Sequence, residues 1–222
     1  LYKFLPNVIE EEGIKEFIAL NKTDNQSIGI LTSDGRFKRI GIEEIIDMSG
    51  RAASILKLKK NIEVKTGIIC EKEKDLIIVS DVGRILKINI NDQTLPLMGK
   101  LAQGSIVMKL FPEENIVGCT CISKEEEIIL ATNLGLFTKI KINTLKNSKK
   151  GDFGEINFPF KTKKEKVIQI FKSNQIISVL TSKGKYGRIN TSEIHESKTS
   201  GSLVTLEKDE SIIEIIPLVE ND

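Results

Sequence analysis

The stretch that decides the fold is Ser27–Ile42, which reads SIGILTSDGRFKRIGI. An apolar, β-branched run leads into the turn residues Ser33–Gly35, and a second run with three basic residues follows. Asp-Gly between apolar runs predicts a tight β-hairpin, because glycine accepts the positive φ that such a turn requires. The hairpin alone does not explain why a basic residue, Arg39, stands four residues after the glycine.

This stretch recurs three times along the chain. The copies are LIIVSDVGRILKINI from Leu76, IILATNLGLFTKIKI from Ile128 and ISVLTSKGKYGRINT from Ile177, and their glycines are spaced 48, 52 and 49 residues apart. Each copy has a hydroxyl residue three before the glycine, a bulky residue two after it, a basic residue four after it and isoleucine five after it. These columns hold Thr32, Ser80, Thr132 and Thr181; Phe37, Ile85, Phe137 and Tyr186; Arg39, Lys87, Lys139 and Arg188; and Ile40, Ile88, Ile140 and Ile189. The chain is therefore a repeat protein.

Further strand-like runs lie between the hairpins and give about four strands per repeat of about 50 residues. They are Ser54–Leu58, Gly67–Cys70, Ser105–Leu110, Ile116–Ile122, Val167–Phe171, Ser202–Leu206 and Ile212–Leu218. Short helical turns are expected near Glu43–Asp47 and Glu193–Ser197. The pattern predicts an all-β, propeller-like domain over residues 1–222 with four recognisable four-stranded blades, whose hairpins lie near 27–45, 75–92, 127–145 and 175–194. Because the first residue is Leu1, we expect an excerpt of a longer chain.

Composition and charge narrow the class of protein. Hydrophobic residues make up 40% and charged residues 29% of the 222 residues, which is typical of a soluble globular protein. No apolar run or leader pattern predicts a membrane span or export, and three cysteines suit a reducing, cytoplasmic compartment. Between residues 139 and 188, thirteen basic residues face three acidic ones, although the whole chain carries only +2. This asymmetry suits an anionic partner, and equally two solvated patches of opposite sign.

The basic column of the repeat has two interpretations. The isoleucine five after each glycine is predicted to be core, which puts the basic residue on the opposite face of its strand. Outward cations can protect exposed edge strands from aggregation. Alternatively, each blade places one cation on a circular surface that suits a DNA or RNA backbone, because phosphate contacts need charge and reach but no base recognition.

Residues that carry chemistry are scarce. His195 lies in a polar run and is predicted to be an exposed loop residue. Cys119 and Cys121 share one strand face and are predicted to fill space rather than bind metal. No phosphate-binding glycine loop is present. The sequence predicts no catalytic residues, no metal and no cofactor in this domain.

With the repeat established, the chain resembles the C-terminal domain of the A subunit of bacterial type IIA DNA topoisomerases, gyrase and topoisomerase IV. The resemblance rests on four hairpins of the form [T/S]-x-x-G-x-h-x-[K/R]-I and on the run LMGKLAQGSIVMKL, Leu97–Leu110. RAASILKL, Arg51–Leu58, and SGSLVTL, Ser200–Leu206, occupy equivalent places. The resemblance implies a β-pinwheel, a disc whose blades exchange strands, that binds and bends double-stranded DNA around a basic rim through sequence-nonspecific backbone contacts.

Several positions follow from this resemblance. The rim contacts would be Arg39, Lys87, Lys139 and Arg188, with Lys38, Arg51, Lys100, Lys149, Lys150 and Lys185 as further DNA-binding candidates. The implied partners are the remaining parts of the A subunit and the ATPase subunit of a cytoplasmic, nucleoid-associated enzyme that controls DNA supercoiling. The family's catalytic tyrosine belongs to another domain, so this one would be an accessory domain and no enzyme on its own.

The sequence departs from the pattern of this family in two ways, and one other class of protein is also considered. The gyrase box Q-R-R-G-G-K-G has only the degenerate counterpart SKKGDFG, Ser148–Gly154, so gyrase and topoisomerase IV are not distinguished. Four hairpins are fewer than the six blades usual in gyrase, which leaves ring closure and the handedness of wrapping open. The rival is a protein-binding β-propeller, although the chain has no tryptophan and lacks the Gly-Gly and Trp-Asp marks of kelch and WD repeats. An enzyme acting at a central funnel is disfavoured, since His and acidic residues are not clustered.

Overall fold

The computed structural model describes residues 14–20, 26–46, 54–156, 160, 162–194 and 204–218. They form fourteen strands and a few short helices. The strands are β1 Gln26–Thr32, β2 Arg36–Gly41, β3 Val64–Glu71, β4 Asp75–Ser80, β5 Arg84–Asn89, β6 Ser105–Ile106, β7 Ile116–Ile122, β8 Glu127–Thr132, β9 Phe137–Lys141, β10 Glu155–Ile156, β11 Val167–Lys172, β12 Ile176–Thr181, β13 Tyr186–Asn190 and β14 Ile212–Leu218. The helices are α1 Glu43–Ile46 and two 3₁₀ turns, Ile142–Thr144 and Thr191–Glu193.

Four antiparallel sheets, here called blades 1 to 4, are each built around one repeat hairpin. Their strand orders are β3-β1-β2-β6, β10-β5-β4-β7, β11-β8-β9 and β13-β12-β14. The hairpin turns are tight because the equivalent place in each repeat holds a glycine with φ between 75° and 80°. The predicted all-β, propeller-like architecture with four repeats is therefore confirmed, although blades 3 and 4 have three strands each among the described residues instead of the predicted four.

Neighbouring blades exchange strands. After hairpin β4–β5 of blade 2, the chain returns to blade 1, where β6 pairs with β2, and then comes back to blade 2 as β7. In the same way β10 follows the hairpin of blade 3 but pairs with β5 of blade 2. We call the returning segments connector 2, residues 90–115, and connector 3, residues 142–166. Each connector thereby ties two blades together.

The blades pack face to face, so a hydrophobic core lies between each successive pair. Leu31 and Phe37 of blade 1 meet Leu76 and Ile78 of blade 2 in the first of these cores. Similar apolar clusters join blade 2 to blade 3 and blade 3 to blade 4. Consequently the inner strands are buried on both faces, as the unbroken burial of β4 shows.

The strand predictions met mixed outcomes. Ile116–Ile122 and Ile212–Leu218 are strands with the predicted bounds, whereas Ser105–Leu110 contains only the two-residue β6. Ser54–Leu58 is not a strand, although Ile55 and Leu56 pack on blade 1. Residues 202 and 203 lie outside the described part of the chain, and 204–206 are not in a strand. The connectors contact their neighbours mainly through side chains and single backbone contacts. They therefore contain fewer strand residues than their apolar pattern predicts.

Candidate nucleic-acid interface

Arg39 lies inside the disc instead of on its rim. Its side chain is 1% exposed, and its guanidinium donates to the Ser27 hydroxyl and, over 2.5 Å, to the carbonyl oxygen of Leu95 in connector 2. The Met98 amide donates back to the Arg39 carbonyl over 2.8 Å. Since the strand is covered on both faces, the face opposite Ile40 is not a solvent face. The prediction that Arg39 is a rim residue is wrong.

Lys87 repeats this arrangement one blade further on. It is 6% exposed, and its ammonium donates over 3.0 Å to the carbonyl oxygens of both Ile142 and Leu145 in connector 3. Ser148 donates its amide to the Lys87 carbonyl over 2.7 Å, just as the Met98 amide donates to the Arg39 carbonyl. The buried Asp75 carboxylate lies 3.7 Å from the ammonium. Lys87 therefore holds connector 3 to blade 2, and we call a basic residue in this role a latch residue. Its predicted rim position is also wrong.

Two more of the predicted contacts are mostly covered. Lys38 donates its ammonium to the carbonyl oxygens of Ile55, Gly99 and Lys100, and burial lowers its pKa. The side chain of Lys139 is 10% exposed and pairs with Glu127. Neither is placed as a free rim cation.

The remaining predicted contacts divide between exposed residues and one outside the described chain. Lys100, Lys149, Lys150, Lys185 and Arg188 are exposed. Arg51 falls outside the described residues. Of the predicted DNA contacts, these five exposed residues are therefore the ones that are accessible to DNA in solution.

Three of these exposed lysines lie on adjoining stretches of connectors 2 and 3, together with one that the sequence did not single out. Lys109 donates its amide to the Asp152 carbonyl, and the Gly151 amide donates to the carbonyl of Val107. These bonds align the two connectors where their basic residues are exposed. We define the connector surface as Lys100, Lys109, Lys149 and Lys150.

An aromatic pair borders this surface. The rings of Phe111 and Phe153 stack with centroids 4.6 Å apart, and both are exposed. The Arg84 guanidinium lies 4.1 Å from the Phe111 ring centre and forms a two-pronged ion pair with the buried Glu114 carboxylate. Lys109 lies 5.8 Å from the ring of Phe153. A fixed cation beneath the rings holds them in place at the surface.

Sequence analysis missed a buried glutamate that lies two residues before each of β7, β11 and β14. Glu114, Glu165 and Glu210 occupy this place in blades 2, 3 and 4. Thr132 donates its hydroxyl to Glu165 and Thr181 donates its hydroxyl to Glu210, so the hydroxyl residue of the repeat has this partner in blades 3 and 4. The available signal was a second column, with a glutamate 26 to 31 residues after each of the last three hairpin glycines.

Blade 4 carries charges close to its hairpin turn. Lys185 pairs with Glu207 and Glu210. Hydrogen bonds from the Thr181 hydroxyl and the Glu207 amide, together with Lys185, lower the pKa of Glu210 to about 2. Arg188 is exposed, unlike Arg39 and Lys87 at the same place in the repeat. The exposed cations of blade 4 are thus partly neutralised by acids, whereas Arg188 stands in solvent.

The cysteines and possible metal ligands offer no second site. Cys70, Cys119 and Cys121 are all buried in the core between blades 1 and 2, where burial raises the pKa of each thiol. Among the described residues no group of three His, Cys, Asp or Glu side chains is placed to hold a metal ion. In the same part of the chain no helix is long and apolar enough to cross a membrane. His195 lies outside the described residues.

Comparison with known families identifies the repeat. A family model described as the DNA gyrase C-terminal domain, beta-propeller, matches residues 30–64, 74–123, 126–174 and 175–218. Among curated proteins, the chain is 23% identical to the A subunit of DNA topoisomerase 4 from Synechocystis sp. over 159 residues, covering 68% of the chain and 17% of that protein. It is 24% identical to the A subunit of DNA gyrase from Ureaplasma parvum serovar 3 over 214 residues, covering 94% of the chain and 25% of that protein. The chain thus spans a quarter or less of these relatives' length.

Solved structures agree in fold. The C-terminal domain of a DNA topoisomerase IV superimposes with a TM-score of 0.82 at 20% identity, covering 97% of this chain and 69% of that one. A DNA gyrase A C-terminal domain gives a TM-score of 0.75 at 17% identity, covering 89% and 67%. Both likenesses support the strand-exchanged blades described above.

Proposed function

Since this chain belongs to the DNA gyrase C-terminal domain family, we propose that it is the DNA-binding and DNA-wrapping accessory domain of the A subunit of a type IIA topoisomerase. The observation that carries the proposal is the connector surface, where four exposed lysines lie on two connectors that backbone hydrogen bonds join, in a chain with this family's fold. Its partners are double-stranded DNA, the remaining parts of the A subunit and the ATPase subunit. Strand cleavage and ATP hydrolysis belong to those other parts, and the domain needs no cofactor, since phosphate contacts require only charge.

Wrapping requires phosphate contacts at several places along the connectors. Bending a site of 20–30 base pairs costs about 1–6 kcal/mol, which contacts along the connectors offset. A duplex held in this way is presented to the strand-passage gate in a bent path. Because backbone contacts carry no base information, binding is independent of sequence.

Salt dependence tests the proposal directly. The logarithm of the affinity of the domain for a duplex should fall linearly with the logarithm of salt concentration, with a slope of about −0.9 per phosphate contact. Gel shifts or fluorescence anisotropy across a salt series give this slope. Salt-independent or undetectable binding would exclude the wrapping function and favour a protein-binding propeller.

A matched pair of variants locates the contacts. The double change Lys149→Gln and Lys150→Gln on the connector surface should reduce the steepness of the salt slope by about 1.8. The control double change, Lys72→Gln and Lys124→Gln, removes two exposed lysines from the turns before β4 and β8 and should leave the slope unchanged. Equal effects of the two double changes would show that the connector surface is not the DNA track.

A further inference from the structure

Two exposed aromatic rings border the connector surface. We call Phe111 of connector 2 and Phe153 of connector 3 the aromatic pair. Their rings stack with centroids 4.6 Å apart and planes 14° apart, yet the two residues are 54% and 39% exposed. Phosphate contacts need charge alone, so the function of the lysines beside them gives these rings no role.

The ring of Phe111 is held by a buried ion pair. The Arg84 guanidinium lies 4.1 Å from the centre of this ring and is paired with the Glu114 carboxylate, and these two side chains are only 5% and 2% exposed. The Glu114 carboxylate also accepts the backbone amide of Phe111 over 2.8 Å. One ion pair therefore fixes both the ring and the backbone of Phe111.

The backbone on both sides of Phe153 is held as well. In the turn before it, the Lys149 amide donates to the Asp152 carboxylate over 2.7 Å, and the Asp152 amide donates to the Lys149 carbonyl oxygen over 3.1 Å. Lys109 of connector 2 donates its amide to the Asp152 carbonyl oxygen over 2.9 Å. After Phe153 the chain enters β10, which pairs with β5. The two rings are therefore presented on rigid backbone from both connectors.

The charges beside the aromatic pair favour an anionic partner. Lys109 lies 5.8 Å from the ring centre of Phe153, and two more lysines of the connector surface are exposed in the turn before that ring. Two of the three exposed acids within two residues of the rings are engaged, Asp152 by a backbone amide and Glu155 by a lysine 3.5 Å away. Nucleic acid matches both the cations and the rings, because its bases have flat π-faces and its phosphates are negative.

We propose that the aromatic pair is a wedge that enters one base step of the duplex bound to the connector surface and kinks the duplex there. Apolar side chains that enter a base step partly unstack it and kink the duplex by about 20–90°. Because the rings are held rigidly before DNA binds, ordering them costs little further free energy. The proposal rests on the DNA-binding function proposed above and adds that the bend is concentrated at one step.

A wedge makes the affinity depend on how easily a base step unstacks. Opening the stack costs free energy in a fully paired duplex and less at a mismatched base pair. A mismatch also makes the whole duplex easier to bend, so the preference for mismatched DNA must disappear with the rings if they are the wedge. Phosphate contacts alone provide no such dependence on the rings.

The test compares two duplexes of about 30 base pairs, both with a central 2-aminopurine base and one with a mismatch beside it. Titration with the whole chain, followed by anisotropy, should show about tenfold tighter binding of the mismatched duplex. The 2-aminopurine fluorescence should rise as its base unstacks. Equal affinities with constant fluorescence would overturn the wedge, while salt-dependent binding in the same experiment would leave the DNA-binding function standing. If neither duplex bound, both proposals would fail.

A variant of one ring tests the assignment to the aromatic pair. Phe153→Ala leaves Phe111 over Arg84, and it should reduce the preference for the mismatched duplex to about twofold or less and abolish the fluorescence rise. The matched control is Phe17→Ala, which removes a phenylalanine that is 67% exposed before blade 1 and should keep the preference. If Phe153→Ala kept the preference, the rings would be only a cover for Arg84, and the wedge would be overturned.

A change of charge separates the wedge from the phosphate contacts. The double change Lys149→Gln and Lys150→Gln should weaken the binding of both duplexes by the same factor and keep the preference for the mismatch. If this double change removed the preference as Phe153→Ala does, the preference would come from charge, and the wedge would be excluded.

Two results would assign the aromatic pair to another partner and overturn the proposal. Tighter binding of a single strand than of either duplex, lost in Phe153→Ala, would make the pair a stacking platform for unpaired bases. Self-association in sedimentation that Phe153→Ala abolishes would make it a contact between two copies of the chain.

Discussion

Lys87 shows how much structure one buried ammonium group can organise. A single nitrogen contacts two carbonyl oxygens of connector 3 and lies beside the buried carboxylate of Asp75. A basic residue suits this place because the connector presents two backbone carbonyl oxygens to it. The three-donor geometry of lysine matches such a cluster. In blades 1 and 2 the basic column thus reflects the need to hold a connector.

Replacing Lys87 with methionine should destabilise the domain strongly. The change keeps most of the length of the side chain but removes the ammonium group from the carbonyl oxygens of Ile142 and Leu145 and from beside the buried Asp75 carboxylate. Breaking a buried pair in this way costs about 3–5 kcal/mol of unfolding free energy. The measurement is the urea midpoint and slope by circular dichroism.

The control for this change is Lys149→Met on the connector surface. Lys149 is exposed, so its replacement should alter the unfolding free energy by no more than about 0.5 kcal/mol. If Lys87→Met were as mild as its control, the latch interpretation would be refuted.

The carboxylate of Glu210 makes the stability of the domain depend on pH. Its pKa is lowered to about 2, so the carboxylate is more acidic in the folded than in the unfolded chain. A lowered pKa contributes stability above the unfolded value near 4.5, and that contribution disappears as the pH falls from about 4.5 to 2. As the pH falls over this interval, the Glu210→Gln variant should therefore lose less of its resistance to urea than the wild type does. The exposed Glu214→Gln is the control and should keep the wild-type profile.

At the scale of elements, the connectors hold their neighbours through short contacts. Strands β6 and β10 contain two residues each, and each depends on a glycine that brings two backbones together. Such strands have few hydrogen bonds of their own. Their geometry is therefore fixed by the latch residues and by the glycine conformation.

Gly154→Ala should loosen β10 from blade 2. Alanine at φ 74° is strained, and its Cβ would stand 2.7 Å from the Ile85 carbonyl oxygen. We expect a loss of more than about 1 kcal/mol in unfolding free energy and faster amide exchange in residues 155 and 156. Gly99→Ala is the matched control, because a Cβ there meets nothing within 4 Å. Similar destabilisation by both changes would contradict this account.

Sequence periodicity predicted the hairpins well because glycine turns and β-branched runs are local signals. Ile40, expected in the core, is fully buried. The period-two rule failed for Arg39 and Lys87, because it assumes that one face of the strand meets solvent. Face-to-face packing of blades covers both faces, and nothing local to the strand reveals that. The exposed positions Lys149 and Lys150 were within reach of sequence analysis, since loop residues lack such cover.

At the scale of the whole molecule, shared cores should make the blades unfold together. All three cysteines lie between blades 1 and 2, whereas Tyr186 lies in blade 4, so thiol reactivity and tyrosine fluorescence report on opposite ends of the described array. In a Tyr2→Phe background the two probes should give coincident urea midpoints, as a two-state transition requires. Separate midpoints would show that the cores are energetically independent.

The latch runs forward along the chain, and this has a consequence for synthesis on the ribosome. Lys87 receives its partners 55 and 58 residues later, so blade 2 stays incomplete until connector 3 has emerged. At about 5–20 residues per second, the delay is about 3–12 s. During that interval Lys87 lacks the two carbonyl oxygens that it contacts in the folded domain. The disc is thus assembled one repeat behind the growing end, and each new repeat completes the one made before it.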